Sequence, residues 1–127
     1  MRSFDLRARF FIGLFFSCLC LIVSACRSHG IDVTIQNNAQ VLIRNVEVDY
    51  PGAVFGTAEI VPGKSFWYHI KPLSDGELSV SFELENGESI KQKGPKVKAG
   101  YRGTMTLIIE QDSQQQWRVR SQATSTP

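Results

Sequence analysis

From residue 31 onward this 127-residue chain has no helical periodicity: apolar residues never settle into a three- and four-residue spacing, which excludes a helical bundle. Cysteine is scarce as well, with three residues at positions 18, 20 and 26. A domain starting at residue 31 therefore contains none, so neither a disulfide framework nor a thiolate metal site is open to it. Histidine is limited to His29 and His69, and no closely spaced His, Asp or Glu cluster surrounds either one. A metal site wants three or four converging ligands, so the sequence is expected to hold no metal, no cofactor and no catalytic residue. Gly-x-Ser-x-Gly is missing too, and Ser65, Ser79, Ser81 and Ser89 read as ordinary polar strand residues rather than nucleophiles.

The beginning of the chain is unlike the rest. Arg2, Arg7 and Arg9 precede the apolar run FFIGLFFSCLCLIV over 10–23, and the small residues Ser24 and Ala25 follow it. A charged start, an apolar middle and a small-residue cleavage site are the order of a helical export signal. The alternative is an uncleaved membrane helix. At about 1.5 Å per residue, 10–25 covers only about 24 Å, short of a hydrocarbon core of about 30 Å.

Val23-Ser24-Ala25-Cys26 resembles the lipobox of bacterial lipoprotein precursors, in which an aliphatic and two small residues precede an essential cysteine. The resemblance covers about the first 26 residues and implies a fate for them. Cleavage would fall between Ala25 and Cys26, the Cys26 thiol would carry a diacylglycerol, and the new amino end would often be acylated too. A buried or disulfide-bonded Cys26 is the plainer alternative, but Cys18 and Cys20 lie in the segment that would be discarded. Arg27 follows where many Gram-negative lipoproteins kept at the inner membrane show Asp, so the resemblance implies an outer membrane, facing the periplasm, if the cell is Gram-negative.

Losing 1–25 also removes Arg2, Arg7, Arg9 and Asp5, which leaves equal numbers of basic and acidic side chains. The isoelectric point of about 8.5 thus belongs largely to the leader. It gives no support for nucleic-acid binding through a broad basic surface.

The remainder alternates at period two, the mark of strands with one buried face. Ile31, Val33 and Ile35 point inward, and Asn37-Asn38 suits a turn. Val41 and Ile43 share one parity while Val46, Val48 and Tyr50 share the other, which predicts a β-bulge near Arg44-Asn45. Pro51-Gly52 ends that strand, and a weaker one over 55–61 closes in the type II turn Val61-Pro62-Gly63-Lys64. In the strand over 65–70, Phe66, Tyr68 and Ile70 take the core parity and Trp67 and His69 the other. Leu78, Val80, Phe82 and Leu84 form the clearest alternation. A three-residue Glu85-Asn86-Gly87 loop with Gly87 left-handed sets Phe82 opposite Ile90 and Ser81 opposite Lys91, whereas a two-residue Asn-Gly turn mismatches the faces. The glycines and proline of 93–103 mark a loop. Strands over 104–110 and 116–119 form a closing hairpin with Met105, Leu107 and Ile109 inward, and 121–127 is small, polar and expected to be disordered.

Seven or eight short strands at spacings of about 8 to 12 residues imply an all-β sandwich of antiparallel strands, immunoglobulin-like or C2-like in architecture, with a partly open barrel as the alternative. The expected layout is a signal peptide over 1–25, the lipidated cysteine and a tether over 26–30, the sandwich over 31–120 and a tail over 121–127. Fully extended, the tether reaches about 14 Å at about 3.5 Å per residue.

Trp67 stands out for recognition, because its neighbours have the core parity and it does not. Beside Tyr101 or Trp117 it would make a stacking platform for sugar or an anchor for a protein. Lys91, Lys93, Lys96, Lys98 and Arg102 form the one basic concentration, suited to anionic lipid or polymer, with pairing to Glu83 and Glu88 in competition. Glu83, Glu85 and Glu88 flank an exposed turn that gives no reason for unequal carboxylates, so glycoside chemistry is not expected of them. The function expected is that of a non-enzymatic, membrane-anchored envelope lipoprotein whose domain binds or supports an envelope protein or polysaccharide. A carbohydrate-binding module using Trp67 is the alternative, and a small envelope hydrolase with His69 among acids comes third.

Overall fold

The computed structural model describes residues 29–126, so the expected signal over 1–25, the Ala25–Cys26 junction and Cys26 itself lie outside the described residues. Among those residues the chain is all β, with strands β1 (Ile31–Asn37), β2 (Ile43–Tyr50), β3 (Ala53–Ile60), β4 (Ser65–Ile70), β5 (Gly76–Glu83), β6 (Ser89–Val97), β7 (Arg102–Gln111) and β8 (Trp117–Thr126). They form two four-stranded sheets, ordered β4-β1-β7-β8 and β3-β2-β5-β6. The sheets face each other with β3 beside β4 along one side and β6 beside β8 along the other.

Strict alternation drives this arrangement. Val33, Ile35, Ile43, Val46, Val48, Leu78, Val80, Phe82, Leu107 and Ile109 are almost wholly buried between the sheets. At about 25 cal/mol per Å² of apolar surface, that burial is the main stabilising term of a domain with no disulfide. Among the described residues the core lies between Ile31 and Ile109, with Trp117 and Val119 packed against it. Aromatic side chains close both open sides. Phe55 stacks on Tyr68 at 4.7 Å with Tyr50 behind it, and Trp117 meets Phe82 edge-on at 5.1 Å.

The bulge falls where the parity change places it: the β2–β5 register shifts between Arg44 and Glu47, and Asn45 adopts φ 44°. Across β2, Gly56 faces the Val46 carbonyl so closely that no side chain fits there. The β5–β6 register pairs Phe82 with Ile90 and Ser81 with Lys91, and Gly87 has φ 85°.

Four expectations need correction. The strands are not all antiparallel, because β1 pairs parallel with β7. Val41 is not an inward strand residue; it is 40% exposed and precedes β2. Residues 93–103 are not one loop, since β6 runs to Val97 through Gly94 and Pro95, and β7 starts at Arg102. An edge strand makes one ladder only, so a proline and a bulge are tolerated there. Nor is the end disordered: β8 continues to Thr126, paired residue by residue with β7, which extends the domain beyond residue 120. Backbone hydrogen bonds to β7 supply that order without large side chains.

The turn expected at Asn37-Asn38 does follow β1, and Asn37 itself is fully buried there. Its side-chain amide donates to the Val41 and Ile60 carbonyls at 2.9 and 2.8 Å, and its side-chain oxygen accepts from the Ala39 N–H at 2.9 Å. Its backbone bonds Lys64 and Gly63 at the β3–β4 turn. One buried amide thus ties two connections to the core.

Candidate functional site

The outer face of the β4-β1-β7-β8 sheet is built from the polar parity of four strands. Trp67, Thr34, Thr106 and Gln122 form one row across it, and His69, Asp32, Thr104 and Thr124 form the next. Trp67 is 60% exposed. Farther along, Glu110 accepts from Arg118 and Arg120 at 3.0 and 3.2 Å. Ile108 lies buried within this polar face, next to Arg120, a burial that the inward parity of Leu107 and Ile109 does not signal.

His69 is less exposed than its parity implies. Its Nδ1 donates to Asp32 at 2.7 Å, its Nε2 is buried without a hydrogen-bond partner, and its ring lies over Gly30. The sequence shows no acid near His69 because Asp32 comes from the neighbouring strand, 37 positions away. Beside the pair stand threonines and no second carboxylate. Among the described residues no group of three or more His, Cys, Asp or Glu side chains is placed to hold a metal ion.

The structure separates the residues singled out for recognition. Trp67 lies on β4 at one margin, while Lys91 and Lys93 lie exposed on β6 at the opposite margin of the other sheet. Tyr101 is half-buried in the connection before β7, with the Lys98 ammonium 5.9 Å from its ring centre. Trp117 turns inward onto Phe82. A platform joining Trp67 to Tyr101 or Trp117 does not form. Nor do Lys91 and Lys93 pair with Glu83 or Glu88: the ion pairs among the described residues are His69–Asp32 and Glu110 with its two arginines.

The two margins differ in charge. On one side β6 carries Lys91, Lys93, Lys96 and Pro95, and β8 carries Arg118 and Arg120. Charges and proline on edge strands block pairing with other chains, so these lysines have a structural use without any ligand. On the other side β3 and β4 together carry one carboxylate, Glu59, and one histidine. Trp67, Tyr68 and Val54 are exposed there, Tyr68 because β4 is an edge whose inward side chains are only partly covered. Burial, and then the neighbouring Tyr68 phenol, raise the Tyr50 phenol above its ordinary value behind this margin.

The open depressions among the described residues include three. One of about 430 Å³ lies over Gly56 and the bulge at Asn45. Two others, of about 260 and 370 Å³, flank Trp117 between Leu84, Ile90 and Gln111. None is lined by His69.

The architecture is therefore that of a two-sheet β-sandwich. No family model and no curated protein matches the chain. Among solved structures it is similar to the NMR structure of a protein from Eubacterium rectale, with a TM-score of 0.60 and 14% identity over 73% of this chain and 88% of that one. At that identity the likeness is one of fold.

Proposed function

We propose that the chain is an exported envelope lipoprotein, held by lipid on Cys26 after cleavage behind Ala25, with a non-enzymatic sandwich that binds another envelope protein along the β4 edge. The observation that carries the binding half is the nearly uncharged margin of β3 and β4, where Trp67 and Tyr68 are exposed beside the open backbone groups of an edge strand. An extended segment pairing with such an edge gains main-chain hydrogen bonds, and an aromatic pair supplies the anchor. The anchoring half is supported by the arginines, the apolar run and Val23-Ser24-Ala25-Cys26 in that order. One acyl chain binds a membrane only marginally, and two or three hold it lastingly. Arg27 favours an outer-membrane address facing the periplasm in a Gram-negative cell.

The architecture is immunoglobulin-like or C2-like in the loose sense of two packed sheets around a central β2–β5 pair. The strand order departs from that of immunoglobulin constant domains, because β1 lies beside β4 and β7 rather than β2.

Mass spectrometry of the protein extracted from membranes tests the anchor: an acylated Cys26 at the amino end is expected, and Cys26→Ser is expected to abolish it. An intact Met1 with a free thiol at position 26 would remove the reading. Crosslinking in the envelope tests the edge, with a partner expected for the natural protein and lost in Trp67→Ala. The row Trp67-Thr34-Thr106 favours a second reading, sugar stacked on Trp67 and held by hydroxyls. Quenching of Trp67 fluorescence by envelope polysaccharide distinguishes it.

A further inference from the structure

One end of the sandwich gathers the point where the chain enters β1, three connections and, among the described residues, three of the five cations outside β6 and β8. Its connections are braced into one platform. The Gly103 N–H donates to the Gly30 carbonyl at 3.3 Å, and Arg102 donates to the His29 ring at 3.1 Å. Asp75 caps the Ala99 N–H at 3.0 Å, and the Leu73 N–H donates to the Pro51 carbonyl at 2.9 Å. The strand ends that meet there are Ile31, Tyr50, Ile70 and Val97.

Leu73 is 77% exposed, more than any other large apolar side chain among the described residues. Lys71, Lys98 and Arg102 are exposed at the same end, as are Asp49, Asp75 and Glu77, with the Asp75 carboxylate accepting from the Ala99 N–H. The opposite end carries Glu85 and Glu88 in the β5–β6 loop and Asp112 in the β7–β8 loop, with Lys64 in the β3–β4 turn and Arg44 at the start of β2. Lys71, Lys98 and Arg102 stand at the end where residue 29 enters. Residues 26–30 span at most about 14 Å, so a lipid on Cys26 holds this end, and no other, against a bilayer.

We infer that this end docks on anionic membrane: Leu73 enters the headgroup layer while Lys71, Lys98 and Arg102 face lipid phosphates. The inference rests on the reading of Cys26 as the lipid-bearing residue and adds a second, protein-made contact to it. Basic side chains close to an anionic surface supply binding of their own, which adds to that of a lipid anchor. The strands then stand steeply on the bilayer, with the β4 margin facing sideways.

The test uses residues 26–127 with Cys26→Ser, which keep every core residue of the described chain and cannot carry the lipid, sedimented with vesicles of three parts phosphatidylglycerol to seven of phosphatidylethanolamine, or of phosphatidylcholine alone. Binding is expected on the first and not on the second, and to weaken at 0.5 M salt. Lys71→Glu with Lys98→Glu should lower it about tenfold or more, and Leu73→Asp should lower it severalfold. Lys91→Glu with Lys93→Glu, the same charge change on the side of the sandwich, should leave it within about twofold. Urea unfolding of each variant separates lost binding from lost fold. Equal binding to both vesicle types, or equal loss in the β6 pair, would overturn the inference. The measurement does not involve Cys26, so an unmodified cysteine in the cell would fail the anchoring reading and leave this result standing on its own.

Discussion

Gln115 occupies in the β7–β8 loop the position that Gly87 occupies in the β5–β6 loop. In each, the third loop residue is left-handed, at φ 61° for Gln115 and 85° for Gly87, and its N–H reaches back three residues, to Asp112 and to Leu84. Each loop closes through a backbone bond one residue farther on, Asp112 to Gln116 and Leu84 to Glu88. Asp112 steadies its loop by accepting from Gln114 and Gln116 through its side chain at 2.8 and 3.0 Å.

Glycine suits that position because it bears no Cβ. Gln115→Gly is expected to stabilise the domain by up to about 1 kcal/mol, the relief of strain being partly offset by the freer unfolded chain. Gly87→Ala should destabilise it by about 1 kcal/mol. Urea midpoints of the two variants, moving in opposite directions, check the shared geometry.

Asn37 predicts the largest effect of a single polar residue. Asn37→Ala leaves the Ile60 and Val41 carbonyls and the Ala39 N–H without their partner, at an expected cost of about 3 kcal/mol. Asn37→Asp should cost at least as much, because a carboxylate cannot donate to two carbonyls. Equilibrium unfolding in urea gives both values, and a change under 1 kcal/mol in either would refute the assigned network.

The two tryptophans should behave oppositely. Trp67→Ala removes an exposed ring from the outer face and should change stability by about 0.5 kcal/mol or less while abolishing capture of the envelope partner. Trp117→Ala opens the side of the core against Phe82 and should cost about 2 to 3 kcal/mol. Melts and crosslinking on the same pair separate recognition from packing.

Gly30 sets the place of His69. A side chain at residue 30 would collide with the imidazole and with the Ile70 carbonyl, and φ of 149° is itself costly for other residues. Gly30→Ala is expected to destabilise by about 1 to 3 kcal/mol and to displace the ring from Asp32. Asp32→Ala, which removes a partly exposed pair, should cost about 1 kcal/mol or less. Calorimetry gives the energies, and the nitrogen chemical shifts of His69 report the ring's position.

Much of this fold was legible in the residues, for identifiable reasons. Leu78, Val80 and Phe82 alternate, the loop at 85–87 has one geometry that matches faces, and the parity change at Arg44-Asn45 locates the bulge; all three signals are local. What escaped depends on partners far along the chain. Pro95 signals a loop until β6 is known to be an edge, and Ser121 onward has nothing to bury until β7 offers its ladder. Asn37 resembles a turn residue until Ile60 approaches its amide. The outward direction of Trp67 follows from parity alone, whereas its distance from Lys91 and Lys93 follows from strand order, which alternation does not encode.

The position of β1 inside its sheet has a mechanical consequence. With the anchor and partner proposed above, a pull between them would enter at Gly30 and pass along β1, which is laced to β4 on one flank and β7 on the other. Loading a central strand lengthwise strains many hydrogen bonds together, while an edge strand unzips one bond at a time. Such a load would run straight from β1 to its neighbour β4, so the two sheets need not slide over each other, and on the proposed reading the sandwich would act as a stiff link.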